Sequence, residues 1–402
     1  MSTSHVNPLL NPWDAPYGLP PFTQTRPEHY APAFEAAFDA HRAELAAIAA
    51  NPQPPTFANT VVAFDRAGWL FNRLSDLFGN LTAAETSDEL QKVELALAPR
   101  IAAHRTAIYM DEALFARIDA VQQSTEAAGL NREDRRLLDR VHFDFVRQGA
   151  KIAADSRRRY ADIVAQLAEL TTQFAQNVLK DESEWVLWLQ GEADLAGLSA
   201  SLRDAARAAA QARGKPDGYA ITLSRSSVVP FLTFSERRDL REQAFSAWVT
   251  RGAHAGPSDN RPLAVDILRL RAEQARLHGY PTFADYALVD RMAKTPAAAR
   301  NLLMQAWVPA CARMREDEAA LDALRISHGC TEPLARWDWR FFAEKVRQAR
   351  FDLDDAEVKP YFELGAMMRA MFGVAGKLFG LTFVEKPGMP LYHPDVRLFE
   401  VL

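Results

Sequence analysis

Apolar residues recur at steps of three and four through most of this chain, the spacing that lines one face of an α-helix. The longest such stripe is Ile163, Leu167, Leu170, Phe174 and Val178, which predicts one buried face of a helix from about Lys151 to Leu179. Thr25 followed three residues later by Glu28 reads as a capping box opening a first long helix, with Pro27 tolerated in its first turn. "NPQPPT" at 51–56 breaks it, and a second helix is expected from about Phe57 to Phe78, stopped by Gly79. Thr86 with Glu89 predicts another start, Asn131 caps a further helix, and Leu90, Val93, Leu97, Ile101 and Ile108 keep helical spacing between them.

The period changes in a few places. "EWVLWL" (184–189) and "GYAITLSR" (218–225) are β-branched and aromatic, with Tyr219, Ile221 and Leu223 on one face. With the Ala-rich helix between them they predict a small sheet patch. Ser226 and Ser227 fall at the end of the second strand, and helices resume after "VVPFLTF", with Ser235 placed to cap "ERRDLREQAFSAWVTRG". Further helices are expected from about Pro262 to His278, ended by Gly279, and from Thr295 and Pro296 onward. The closing "VRLFEVL" alternates like a strand, and no neighbour for it is evident in the sequence. The fold class is mainly α: more than ten helices, a few short strands and a Pro-rich wrapping arm over the first 24 residues.

Composition removes several function classes. Net charge is −5, with basic residues dispersed among acidic ones, which argues against a nucleic-acid partner. Cys311 and Cys330 are far apart, so a disulfide scaffold is not expected. No stretch approaches 18 consecutive apolar residues and the start shows no signal-peptide pattern, so no membrane is expected and the default address is the cytoplasm.

Candidate chemistry is sparse. A helical zinc site of the HExxH kind needs two histidines four apart on one face. The nearest pair among the nine, His29 and His41, is twelve apart. "SHGC" (327–330) offers His328 and Cys330 but no third ligand, so a turn with a buried thiol is the plainer reading. There is no phosphate-binding glycine loop and no GxSxG. "DESE" (181–184) and "DLDDAE" (352–357) are expected to face solvent or fill first helical turns. Trp337, Asp338 and Trp339 read as a helix start with rings in the core, and Met367, Met368 and Met371 as core filler.

Several long stretches nevertheless carry a resemblance. "ITLSRSSVVPFLTFSERRDLREQAFSAWVTRG", "LHGYPTFADYALVDRMAKTPAAARNLL" and "RWDWRFFAEKVRQARF" with "YFELGAMMRAMFGVAGKLFGLTF" and "YHPDVRLFEV" resemble, in order, segments of the thimet oligopeptidase family of zinc metallopeptidases. "NPLLNPWDAPYGLPPFTQTRPEHY" is most similar to the peptidyl-dipeptidase branch of that family. Phe341 and Phe342 stand where the family often has tyrosines, so no phenol can act there.

The resemblance implies a two-lobed helical peptidase fold with a channel, and hydrolysis of short unfolded oligopeptides by one zinc held by HExxH and a downstream Glu. It divides the chain into an N-terminal helical region, 1–215, and the first part of a peptidase domain, 216–402. The zinc helix then follows the strand that "FEVL" begins. On this reading the 402 residues hold no catalytic residue and no metal ligand, bind no zinc, and self-associate through the face that the rest would cover, whereas the parent enzyme is a monomer. His393 and Arg397 are the candidates for the substrate channel; the plainer alternative pairs Arg397 with an acid such as Asp395 and gives His393 a role only in the turn before Pro394. A different class also stays open: a complete, metal-free helical protein that binds peptides or acts as a scaffold.

Overall fold

A computed structural model describes residues 7–351 and 355–402; residues 352–354 of the "DLDDAE" stretch and the first six residues lie outside it. The helices are, in chain order, α1 Pro27–Ala49, α2 Ala63–Arg66, α3 Trp69–Ala84, α4 Asp88–Tyr109, α5 Glu112–Gln123 and α6 Thr125–Gly129. Next come α7 Arg132–Phe145, α8 Arg157–Glu184, α9 Gly191–Asp194, α10 Ala200–Gln211, α11 Arg225–Phe234 and α12 Arg238–Val249. The last six are α13 Arg261–Leu277, α14 Phe283–Leu288, α15 Pro296–Ser327, α16 Trp339–Phe351, α17 Asp355–Val358 and α18 Leu364–Phe379. Four short strands, β1 Val186–Leu189, β2 Tyr219–Thr222, β3 Phe383–Glu385 and β4 Phe399–Val401, form two two-stranded sheets. The mainly α class expected from the apolar spacing is the one observed.

The chain forms two compact units, one of residues 1–173, 265–287 and 384–400, the other of 174–264, 288–383 and 401–402. In the first, α1 packs on α3 and α4 around Phe34, Phe38, Phe71, Leu74 and Phe78. The arm closes this layer: Leu9 is fully buried, its carbonyl accepts from Arg73, and the Arg73 guanidinium lies 4.3 Å from the Trp13 ring. A second cluster, including Ile118, Leu138 and Phe145, joins α5 and α7.

Helix boundaries differ from the sequence expectations for local reasons. The first helix is capped at Arg26, whose amide donates to His29 Nδ1, while the Thr25 hydroxyl donates to Pro21 and forms no box with Glu28. The expected 57–78 helix begins as a wide π-turn at Phe57–Val62 and breaks at Ala67–Gly68. Gly68 has φ +76°, and a Cβ there would stand 2.5 Å from the His41 ring, so a close approach to α1 requires glycine. Gly79 sits inside α3 and stops nothing, because the helix runs on to Ala84. Ser87, not Thr86, caps α4 by accepting from the Leu90 amide. Asn131 caps α7 as expected.

The long stripe on α8 is only partly covered: Ile163 is buried, Leu167, Leu170 and Val178 are half-buried, and Phe174 is exposed. The helix also starts at Arg157, after a turn at Gly149, rather than near Lys151. Its last turn carries "DESE", which does not simply face solvent: Asp181 accepts from the Gly252 amide and pairs with His254, and Glu182 pairs with Arg251.

In the second unit β1 and β2 pair antiparallel, Val186 opposite Thr222 and Leu189 opposite Tyr219, with α10 packed on β2. "RSSVVPFLTF" is itself helical, so Ser226 and Ser227 lie in the first turn of α11; Ser227 Oγ accepts from the Thr222 amide. Helix α12 begins at Arg238 with Arg237 as its cap residue, while Ser235 is the buried C-cap of α11 and its hydroxyl accepts from the Arg237 amide at the entry to α12. Gly279 beyond α13 and Thr295 before α15 behave as expected. The closing strand does have a neighbour: Thr382 and Leu402 exchange both backbone hydrogen bonds at 2.9 Å, and the Lys386 amide donates to Leu398. Only 399–401 is strand. The methionines expected in the core are not there, since Met367 and Met371 are exposed on α18.

Candidate functional site

The turn between β3 and β4 carries both channel candidates. His393 and Arg397 help line one shallow cleft of about 500 Å³ together with Glu385, Met389, Leu391 and Val396. Arg397 makes a two-point contact with Glu385, 2.7 Å from Nε and 2.5 Å from Nη2, which holds the Glu385 carboxyl below its usual range. Its acid partner is thus Glu385, across the hairpin, rather than Asp395. His393 Nδ1 accepts from the Asp395 amide at 3.2 Å, closing the turn. Both side chains are solvent-accessible, and the Arg397 guanidinium also lies 5.0 Å from the Phe399 ring.

A more strongly built group lies in the second unit. Asp338 is 1% exposed and 97–100 residues away in sequence from its partners. Its Oδ1 accepts from Arg241 Nη2 at 2.8 Å, and its Oδ2 accepts from Arg238 Nη2 at 2.9 Å and from the Ala335 amide at 3.0 Å. Burial raises the Asp338 carboxyl, and the hydrogen bonds from Arg238 and Arg241 outweigh it, so it lies below the usual carboxylate range. Arg241 is itself buried, its Nη1 donating to the Ser235 carbonyl, and its guanidinium lies 4.2 Å from the Phe341 ring. These residues border a cleft of about 560 Å³ closed on another side by Arg325, His328, Cys330 and Lys345. The sequence placed Asp338 at the start of a helix, which is correct, but gave no sign of the arginines that fold onto it. Trp337 and Trp339 beside it are half-buried. The "SHGC" thiol expected to be buried is exposed at Cys330.

The first unit holds a buried pair of histidines. His41 Nδ1 and His104 Nε2 are 3.1 Å apart in a layer made by Phe38 and Phe71. Burial lowers His104 to about 4 and lowers His41 as well, so both rings are neutral near pH 7.

Residues 231–402 match the model of peptidase family M3. That segment is thus similar to the M3 peptidases. The chain is 39% identical to dipeptidyl carboxypeptidase of Escherichia coli (strain K12) over 398 residues, covering 98% of this chain and 58% of that protein. It is 36% identical to dipeptidyl carboxypeptidase of Salmonella typhimurium, with the same coverage of each chain. Oligopeptidase A of Haemophilus influenzae is 31% identical over 99% of this chain and 58% of its own length. The chain therefore spans 58% of the length of these curated relatives.

The zinc implied by the resemblance does not fit the residues present. Among the described residues no three His, Cys, Asp or Glu side chains converge as metal ligands would. The His41–His104 pair points its nitrogens at each other, so the two lone pairs cannot meet on one ion.

Proposed function

We propose that this chain is part of a zinc metallopeptidase that hydrolyses short oligopeptides and releases dipeptides from their C-termini, with the zinc ligands and the catalytic groups outside these 402 residues. The observation that carries this reading is the 39% identity to dipeptidyl carboxypeptidase along 98% of the chain. The division proposed with it is a helical region at 1–215 and the first part of the peptidase domain at 216–402; the family match beginning at residue 231 supports the latter. The whole enzyme is proposed to act as a cytoplasmic monomer, without a nucleic-acid or membrane partner. Among the described residues, no helix is long and apolar enough to cross a membrane. His393 and Arg397 are proposed to face the peptide channel, a role supported by their accessible positions in one cleft.

The test uses the gene's full open reading frame, including whatever follows codon 402, beside the 402-residue chain. Elemental analysis of the short chain should give far less than one zinc per molecule, and no peptide should be cleaved. The full product should release C-terminal dipeptides and lose that activity to a chelator. One tightly held zinc in the short chain, or chelator-sensitive turnover by it, would refute the reading. A full product that binds peptides without cleaving them would favour the scaffold alternative.

The short chain is also proposed to self-associate. Leu364, Met367, Met371, Val374 and Leu378 follow one another on α18 at alternating steps of three and four, and all are exposed. Leu303 and Trp307 add a second exposed apolar stretch on α15. An amphipathic stripe of this kind is a surface for another helix. Sedimentation velocity should show a concentration-dependent dimer that Met371→Glu returns to monomer. A clean monomer at every concentration would remove this proposal.

A further inference from the structure

The cleft beside Asp338 is bordered by cations whose hydrogen-bonding donors are not all used within the fold. Arg238, Arg241, Arg325 and Lys345 border it, with the carboxylates of Glu236, Glu332 and the buried Asp338. The Asp338 carboxylate is already committed to Arg238, Arg241 and the Ala335 amide. Glu332 pairs with Arg238, but its side chain is 67% exposed and screened by solvent. Arg325 spends its donors on Asp322 and on the Cys330 and Glu332 carbonyls, so it fixes the 330–332 loop.

Two donors are left over. Arg241 Nε is buried and has no hydrogen-bond partner among the described residues, an arrangement that costs stability unless an acceptor arrives. Lys345 has no carboxylate partner among the described residues, and its Nζ stands 5.3 Å from the same Phe341 ring that holds the Arg241 guanidinium. The Phe341 ring thus holds two cations at the border of one recess. His328, Thr331 and Cys330 on the loop add side chains with small polar ends at the mouth.

We propose that this cleft is a binding site for a small oxyanion, a phosphate or carboxylate group, held by Lys345 and Arg241 and closed by the 328–332 loop. The chemistry that selects such a group is charge-assisted hydrogen bonding from an ammonium and a guanidinium whose positions are already fixed. Asp338 serves as the positioning residue: it orients both arginines. The site lies within the second unit and uses no metal, so it stands whether or not the peptidase reading holds.

The experiment titrates the 402-residue chain with inorganic phosphate, against sodium chloride at matched ionic strength. Parallel titrations with citrate and with acetyl-dialanine distinguish a phosphate from a carboxylate source. Calorimetry should show saturable binding to one site by at least one of these anions, weakened about tenfold or more in Lys345→Met, which removes the charge and keeps the stem. In the wild type, backbone amide NMR shifts should be confined to Gly329–Glu332 and to the segment around Lys345. This arm does not depend on the variant folding. The proposal fails if no anion saturates above matched chloride, if Lys345→Met binds as tightly as the wild type, or if the amide shifts map elsewhere.

Discussion

Asp338→Ala should lower the unfolding free energy by about 3–5 kcal/mol, the range for removing one member of a buried ion pair. The carboxylate is 1% exposed and is the acid shared by Arg238 and Arg241, and Arg241 is 2% exposed. Deleting it leaves a buried guanidinium without its counter-charge. The same change releases the Ala335 amide at the start of α16. Asp338→Asn keeps an acceptor but loses the charge, so it should fall between alanine and wild type. Urea denaturation of the three proteins measures this. A cost below about 1 kcal/mol for alanine would mean that both arginines find other partners, and that the cluster does not hold α12 to α16. Replacing Arg241 and Asp338 together, by Met and Leu, should cost less than Asp338→Ala alone, because no charge is then stranded.

Acid should loosen the first unit through His104. Its pKa in the folded chain is about 4, below the ordinary 6.5, with burial as the main cause. The folded state therefore binds the proton less readily than the unfolded one. The sign follows: the contribution is complete above pH 6.5 and is lost progressively as pH falls toward 4. The gap corresponds to about 3 kcal/mol. His41 shifts in the same direction and adds to the loss, with Glu44 opposing it and Arg42 and Arg105 working against a charge on His104. Only one proton fits between two nitrogens 3.1 Å apart, so the rings cannot both be charged. Native-state hydrogen exchange of α1 and α4 should show protection falling between pH 6.5 and 4.5 in the wild type. In His104→Phe, which matches the aromatic character of Phe38 and Phe71, the pH-dependent part should shrink. Equal acid sensitivity in the variant would place the titrating group elsewhere.

The peptidase reading and the structural findings rest on different residues. Similarity to the M3 peptidases lies in residues 231–402, and similarity to dipeptidyl carboxypeptidase runs along 98% of the chain. Three of the groups with perturbed protonation, Asp338, His41 and His104, are structural in what they touch: arginines, a backbone amide, phenylalanines and each other. Perturbation by burial is expected in such networks as well as in catalytic sites.

Sequence alone determined the helical class, because the three-and-four spacing of apolar residues is a local property that a helix must obey wherever it packs. It also fixed the helix starts at Asn131 and Thr295 and the stop at Gly279, where a single side chain or a positive φ acts within one turn. Several other boundaries were decided by tertiary contacts. Gly68 precedes α3 at a break in the expected helix, where His41 occupies the space a side chain would need, and Ser235 closes α11 instead of capping α12. A stripe states which residues share a face, not whether anything covers it, so Phe174 and Met371 are exposed despite their spacing. The same limit explains the missed charge cluster. Asp338 and its arginines are about a hundred residues apart, and only the packing of α12 beside α16 puts them in hydrogen-bond reach. Local chemistry writes helices into a sequence, and burial, which belongs to the assembled fold, decides which of their side chains carry charge into the interior.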